Sequence, residues 1–198
     1  MSVVTRGFVG RRDHSAKLPP GQHFETGFPV LTVGPAPRIS TERWELTVTT
    51  ETGDRTVFDW ASMQALGLEE LQVDIHCVTS WSKFDTRWRG VSVERVLAGI
   101  STSATHLMAH CYGGYTTNLP LADVLDGRAL IATEFDGEPL ARDHGGPARL
   151  LVPHLYFWKS AKWVSELRLM TEDELGFWER NGYHAYGDPW REQRYSDV

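Results

Sequence analysis

The chain has 198 residues, 41% of them hydrophobic and 23% charged, which is enough to bury a core without disulfide or metal staples. Its formal net charge is -6 and it contains no Lys/Arg-rich run, so nucleic acid is excluded as the main partner. No apolar stretch is long enough to span a bilayer. Arg11 and Arg12 are followed by polar residues rather than by the apolar segment of an export signal, and the two cysteines, Cys77 and Cys111, are too few for a disulfide framework. The expectation is a cytoplasmic protein with reduced thiols, folded as one domain over residues 1–198.

Residues 1–40 are rich in Pro and Gly and lack periodicity, which predicts an extended arm lying over the folded body. Regular structure starts at residues 44–50, where apolar and polar residues alternate as a half-buried strand requires, and a hairpin through Gly53 leads to a strand over 56–58. Residues 59–66 read as a short helix capped by Asp59. Leu71, Val73, Ile75 and Cys77 fall on one face of a strand, so the cysteine ends a buried strand.

The residues after Cys77, up to Gly90, are expected to form a loop carrying Lys83, Arg87 and Arg89. A helix over 91–100, a strand over 105–111, a short helix over 119–125 and a strand over 128–135 turning at Asp136 and Gly137 follow. Strands over 149–153 and 166–170 complete an α+β, mixed sheet-rich pattern, and residues 171–198 read as a C-terminal strap.

Three segments carry candidate chemistry. Around Cys77, the cations of the following loop would favour the thiolate, the form that binds metals or attacks electrophiles; a small buried core residue is the alternative. Residues 142–149 set Gly145 and Gly146 between His144 and Arg149. Glycine admits close approach to an anionic ligand and Arg binds phosphate in bidentate fashion, although a β-turn also explains the glycines. Residues 152–163 are aromatic-rich and carry Lys159 and Lys162 at i, i+3, a spacing that could bring both cations to one side of a turn. A zinc site is disfavoured, because His106 and His110 would lie about 13 Å apart along a strand.

Together these segments resemble the molybdopterin-binding domain of the sulfite oxidase family, particularly its short single-domain bacterial and archaeal oxidoreductases. The resemblance spans nearly the whole chain. It rests on His76, Cys77, Val78, Thr79, Trp81, Ser82 and Lys83; on residues 113–118 and 136–140; on His144, Gly145, Gly146, Pro147 and Arg149; and on residues 153–163.

The resemblance implies a sulfite oxidase-type molybdopterin-binding fold and a Mo-molybdopterin cofactor. It makes Cys77 the protein's ligand to molybdenum, with His144, Arg149, Ser160, Ala161 and Lys162 holding the pterin and its phosphate. Cys111 takes a lesser pterin-pocket position, and His23 and Phe24 in the arm cover the cofactor. A thiolate is the soft ligand that a sulfur-rich metal site favours. Arg87 is the preferred cation for drawing in an oxyanion substrate, with a surface salt bridge to Asp85 or Glu94 as the alternative.

The implied activity is two-electron oxygen-atom transfer on a small sulfur-containing or oxyanion substrate, of the sulfite-oxidation or sulfoxide-reduction type, with electrons exchanged through a separate electron-transfer protein. The chain departs from true sulfite oxidases in having no haem-binding domain ahead of the fold and too little sequence past Met170 for their C-terminal dimerisation domain. Their substrate-binding arginine has no equivalent here either, so sulfite itself is not implied. Two other readings remain open: a non-catalytic molybdopterin carrier or interaction module, and a cysteine-nucleophile enzyme with His76 or His110 as base.

Overall fold

The computed structural model describes residues 17–196, so Arg11 and Arg12 lie outside the described residues. In chain order the elements are β1 (His23–Phe24), β2 (Glu45–Thr49), β3 (Arg55–Asp59), α1 (Trp60–Ala65), β4 (Glu69–His76), β5 (Trp81–Ser92) and α2 (Val93–Leu97). They continue with β6 (His106–Cys111), β7 (Thr116–Pro120), β8 (Leu130–Phe135), β9 (Glu138–Pro139), β10 (Arg149–Leu151), β11 (Val164–Met170) and α3 (Phe177–Arg180). Few of these are helices, and they are short.

The strands form two mixed sheets. A five-stranded sheet runs β3-β2-β11-β6-β7, with β11 parallel to β2 and the other neighbours antiparallel. In the six-stranded sheet the path is β1-β5-β8-β10, with β4 also paired to β5 and β9 to β8. Trp44, Leu46 and Val48 are buried while Glu45 is exposed, which is the alternation that places β2 with one face on a core.

The inner part of the six-stranded sheet, β10 and the first residues of β8, is buried on both faces. Ala129, Ile131 and Leu150 join Leu46, Leu107 and Leu167 of the five-stranded sheet in the larger core. Leu130, Ala132 and Leu151 point the other way, into a second cluster with Cys77, Trp81, Trp88 and Phe157. Burial on two faces explains the unbroken apolar stretches over 129–132 and 150–152.

The largest departure from the sequence reading is β5. The expected loop after Cys77 is a strand of 12 residues, preceded only by a tight turn. Phe84, Thr86 and Trp88 are buried, whereas Asp85, Arg87 and Arg89 are exposed. Charges at every second position are the solvent face of a strand, not the lining of a loop. Gly90 permits the strand to cross β8, since a Cβ there would meet the Ile131 carbonyl oxygen at 2.2 Å.

Smaller departures concern helices. Asp59 caps α1 by accepting a hydrogen bond from Ser62 N at 2.7 Å, as expected. The helix expected over 91–100 is limited to α2, and Gly99 follows it at φ +80. Leu119 belongs to β7, where it pairs with Leu107, and only a 3-10 turn over Leu121–Asp123 remains of the helix expected at 119–125. No helix among the described residues is long and apolar enough to cross a membrane.

Candidate active site

Cys77 leaves β4 and enters a four-residue turn to β5. Its N–H donates to Trp81 O at 2.8 Å, and Ser80 N donates back to Cys77 O at 3.0 Å. Ser80 adopts φ +75 to close the turn. The arm supports the turn from outside, because β1 runs parallel to β5 and His23 N donates to Ser80 O at 2.9 Å.

Cys77 is 6% exposed, and its Sγ lies 3.2 Å from Thr79 Oγ1. Burial raises its pKa above the ordinary thiol value, partly opposed by Thr79 and by the charge of Arg194. The cations expected to favour the thiolate are engaged elsewhere. Lys83 donates to Thr26 O at 2.6 Å, Arg89 pairs with Glu134 at 2.9 Å, and Arg87 lies 3.6 Å from Asp136 with its side chain 68% exposed. The expectation that these residues surround the cysteine is therefore corrected: the β-strand period turns them all outward.

Cys77 opens into a cavity of about 690 Å³, in the size range of a small-molecule or cofactor site. His144, Arg149, Ser160, Ala161 and Lys162 line the same cavity. Gly145 holds this arrangement together. It takes φ +109, and a Cβ on it would press at 3.1 Å on both Arg149 Cβ and Lys162 Cα.

Arg149 opens β10 and is 1% exposed. Its Nη1 donates to His144 O at 2.8 Å, its Nη2 donates to Ser160 O, and the guanidinium lies 4.1 Å from the Phe157 ring centroid. Burial lowers its pKa to about 9, which leaves it charged at neutral pH. Among the described residues, Arg149 Nε is buried without a hydrogen-bond partner, as is the indole N–H of Trp81 on the cavity wall.

His144 is held largely neutral, its pKa pushed down to about 4 by burial and by the charges of Arg149 and Lys162. Lys162 is lowered to about 8 by burial and by Arg149, and its Nζ donates to Leu31 O at 2.8 Å and to Asp143 O at 2.6 Å. Ser160 Oγ accepts from Val152 N at 2.9 Å. Lys159 does not join Lys162. Its Nζ lies in the core, 2.6 Å from Glu179 Oε1, 2.8 Å from Asn118 O and 2.6 Å from Ala185 O.

Other expected residues fall outside the lining. His23 is exposed, Phe24 stacks on Phe84 with centroids 5.3 Å apart, and Cys111 is packed in the larger core, where burial pushes its thiol up to about 12. His76 directs Nδ1 to Ser82 Oγ at 2.8 Å, and His110 sits on β6 in the other sheet.

The arm contributes later residues than expected: Phe28 and the stretch from Leu31 to Pro37 form one wall. Tyr112 to Tyr115 and, from the strap, Phe177, Trp178 and Tyr183 form others. Aromatic density in the tail was the available signal for the last three.

Residues 33–178 match the oxidoreductase molybdopterin binding domain family. The chain is 42% identical over 193 residues to the uncharacterized oxidoreductase YuiH of Bacillus subtilis, covering 96% of this chain and 98% of that protein. It is 32% identical over 112 residues to human mitochondrial sulfite oxidase, which is 50% of this chain but 21% of that enzyme.

A match of 29% identity to the putative protein-methionine-sulfoxide reductase subunit YedZ1 of Azospira oryzae covers 59% of this chain and 45% of that one. Among solved structures, the sulfane dehydrogenase SoxCD of Paracoccus pantotrophus superposes with a TM-score of 0.64 at 19% identity, over 74% of this chain and 42% of that chain. The fold is thus the sulfite oxidase-type molybdopterin-binding fold, and the chain belongs to the oxidoreductase molybdopterin binding domain family.

Proposed function

We propose that this chain binds Mo-molybdopterin in the cavity between β10, the Cys77 turn and the arm, and acts as a molybdenum-dependent oxidoreductase with Cys77 as the metal ligand. The observation that carries the reading is the convergence of Cys77 with His144, Arg149, Ser160, Ala161 and Lys162 on one cavity of about 690 Å³. The buried donors Arg149 Nε and Trp81 Nε1, without a partner among the described residues, fit a ligand rich in acceptors, and Gly145 lets the turn pack closely on Arg149 and Lys162.

A dithiolene-bound molybdenum supplies the two-electron redox chemistry. The chain's own residues supply geometry. The β4–β5 turn fixes Cys77 at a strand end, and Thr79 Oγ1 lies in hydrogen-bond reach of its sulfur. Arg149 ties residues 144 and 160 together through two carbonyls, so the two segments that would hold the pterin move as one. Lys162 keeps a positive charge beside them at neutral pH, suited to a phosphate. Phe28, Trp81 and Phe157 exclude water from the cysteine side.

The proposed reaction is two-electron oxygen-atom transfer on a small sulfur-containing or oxyanion substrate. Electrons would pass to or from a separate carrier protein, a reading supported by a relative described as a reductase subunit. The two free, buried thiols suit a cytoplasmic location. The test is to produce the chain in a molybdenum-replete, cofactor-competent host. Molybdenum and a fluorescent oxidised pterin are expected in equal amounts, with Cys77→Ser losing turnover of sulfite or a model sulfoxide. Stoichiometric zinc without pterin overturns the reading, and a loaded protein that turns over neither substrate favours a carrier.

A further inference from the structure

The carbonyl groups of the Cys77 turn are held by two side chains from opposite ends of the chain. Gln22 Nε2 donates to Cys77 O at 3.0 Å, and the same side chain accepts from Ser82 Oγ at 3.1 Å. Arg194, in the strap, donates through Nη1 to Val78 O and through Nη2 to Pro20 O at 3.3 Å. Its side chain is 14% exposed, and its guanidinium lies 5.1 Å from the Tyr156 ring centroid. Its backbone carbonyl is in turn fixed by His184 N at 3.2 Å.

These contacts are more than a surface embellishment. A guanidinium with two donors on two carbonyls fixes an angle as well as a distance, and the stack on Tyr156 limits its remaining freedom. The carbonyl it grips belongs to the residue directly after Cys77. We infer that Arg194 is a positioning residue for Cys77: the C-terminal strap reaches back across the fold to lock the turn that orients the thiolate toward the cavity. The inference rests on the proposed role of Cys77 and adds to it a part for a residue that does not line the cavity.

The consequence is a separation of cofactor capture from metal geometry. His144, Arg149 and Lys162 hold their places without Arg194, because their bonds run to residues 31, 143, 144 and 160. Loss of Arg194 would therefore leave pterin binding largely intact while loosening the direction of the sulfur. Supporting side chains around metal ligands commonly contribute 10- to 100-fold in activity or affinity, and orientation is the usual reason.

The experiment compares Arg194→Gln, Arg194→Lys and Tyr186→Phe with the unaltered full chain. Tyr186→Phe removes the strap's hydrogen bond to Asp123 without touching the turn. In cofactor-loaded protein, Arg194→Gln is expected to keep its pterin content, shift the thiolate-to-molybdenum charge-transfer absorption and lower kcat about 10-fold or more. Arg194→Lys should fall between, and Tyr186→Phe should leave the band in place. In metal-free protein, the amides of Cys77 and Ser80 should exchange about 10-fold faster in Arg194→Gln, with β2 and β11 unchanged.

An unshifted band and unchanged exchange in Arg194→Gln, with only a lowered Tm, overturn the inference alone. If the unaltered protein has no such band, or Cys77→Ser keeps it, the reading of Cys77 fails and the inference falls with it.

Discussion

The Phe28 ring lies flat against the His144 imidazole, with centroids 3.8 Å apart and planes 11° from parallel. This contact joins the proline-rich arm to the glycine turn that precedes Arg149. Phe28 also meets Trp88 and Phe135 edge-on or tilted, at 6.0 and 5.0 Å. Phe28→Ala is expected to destabilise the fold by about 2–3 kcal/mol, below the range for a fully buried Phe because this one is half-buried. It should also lower the pterin retained per chain after gel filtration. Phe28→Leu should recover most of the stability without the stack.

His144 makes stability depend on pH. Its folded pKa of about 4 lies below its ordinary 6.5, so the unfolded chain takes up a proton first as the pH falls. The contribution of neutral His144 is present above pH 6.5 and is lost as the pH falls toward 4. Metal-free protein should lose up to about 2 kcal/mol over that window, and His144→Gln should flatten this part of the profile. Chemical denaturation at stepped pH checks it.

The Lys159–Glu179 pair anchors the strap in the core, with both side chains fully buried. Glu179 Oε1 also accepts from Thr117 Oγ1 at 2.8 Å and Trp158 Nε1 at 3.0 Å. Glu179→Ala leaves a buried ammonium uncompensated and should cost about 3–5 kcal/mol, whereas Lys159→Met with Glu179→Gln should be milder than either single change to Ala. Urea unfolding of the three variants decides this.

Gly90→Ala places a methyl group on the Ile131 carbonyl at 2.2 Å, against backbone that has no flexible side chain to yield. The expected loss is about 3 kcal/mol or more, measured as a drop in the urea midpoint at unchanged m-value. Gly53→Ala is the contrast: its site is open, and only its φ of +90 opposes the change.

The sequence points to Arg87 as the cation that would recruit an oxyanion, but its side chain is exposed, beside Asp136, and outside the lining of the cavity. Arg87→Ala should leave kcat/KM within about twofold and stability within about 0.5 kcal/mol. A loss of 10-fold or more in kcat/KM at unchanged kcat would restore it as a recruiting residue.

Much of the fold was legible in the chain. Alternation over 44–50, the capping role of Asp59, the turn at Asp136 and Gly137, and the strands ending near Cys77 and beginning at Arg149 all follow from side-chain period and turn chemistry. The alternation of Phe84, Thr86 and Trp88 with Asp85, Arg87 and Arg89 was equally present. A cluster of hydroxyls and cations beside a cysteine masks that period, because the same residue types also mark a functional loop.

The candidate site was legible only as a set of residue types in order, through the motifs around Cys77, His144 and Lys162. Sequence alone determined that a soft thiol, a glycine turn next to Arg149 and a Lys-bearing aromatic segment lie in one chain, and those types set what chemistry is available. Only the tertiary structure decided which groups meet. Strand register turns Arg87 outward, core burial commits Lys159 to Glu179 and Cys111 to packing, and chain ends remote in sequence close on the Cys77 turn through Gln22 and Arg194. The physical reason is that period and turn propensity act over a few residues, whereas desolvation and close approach depend on what the rest of the chain brings alongside.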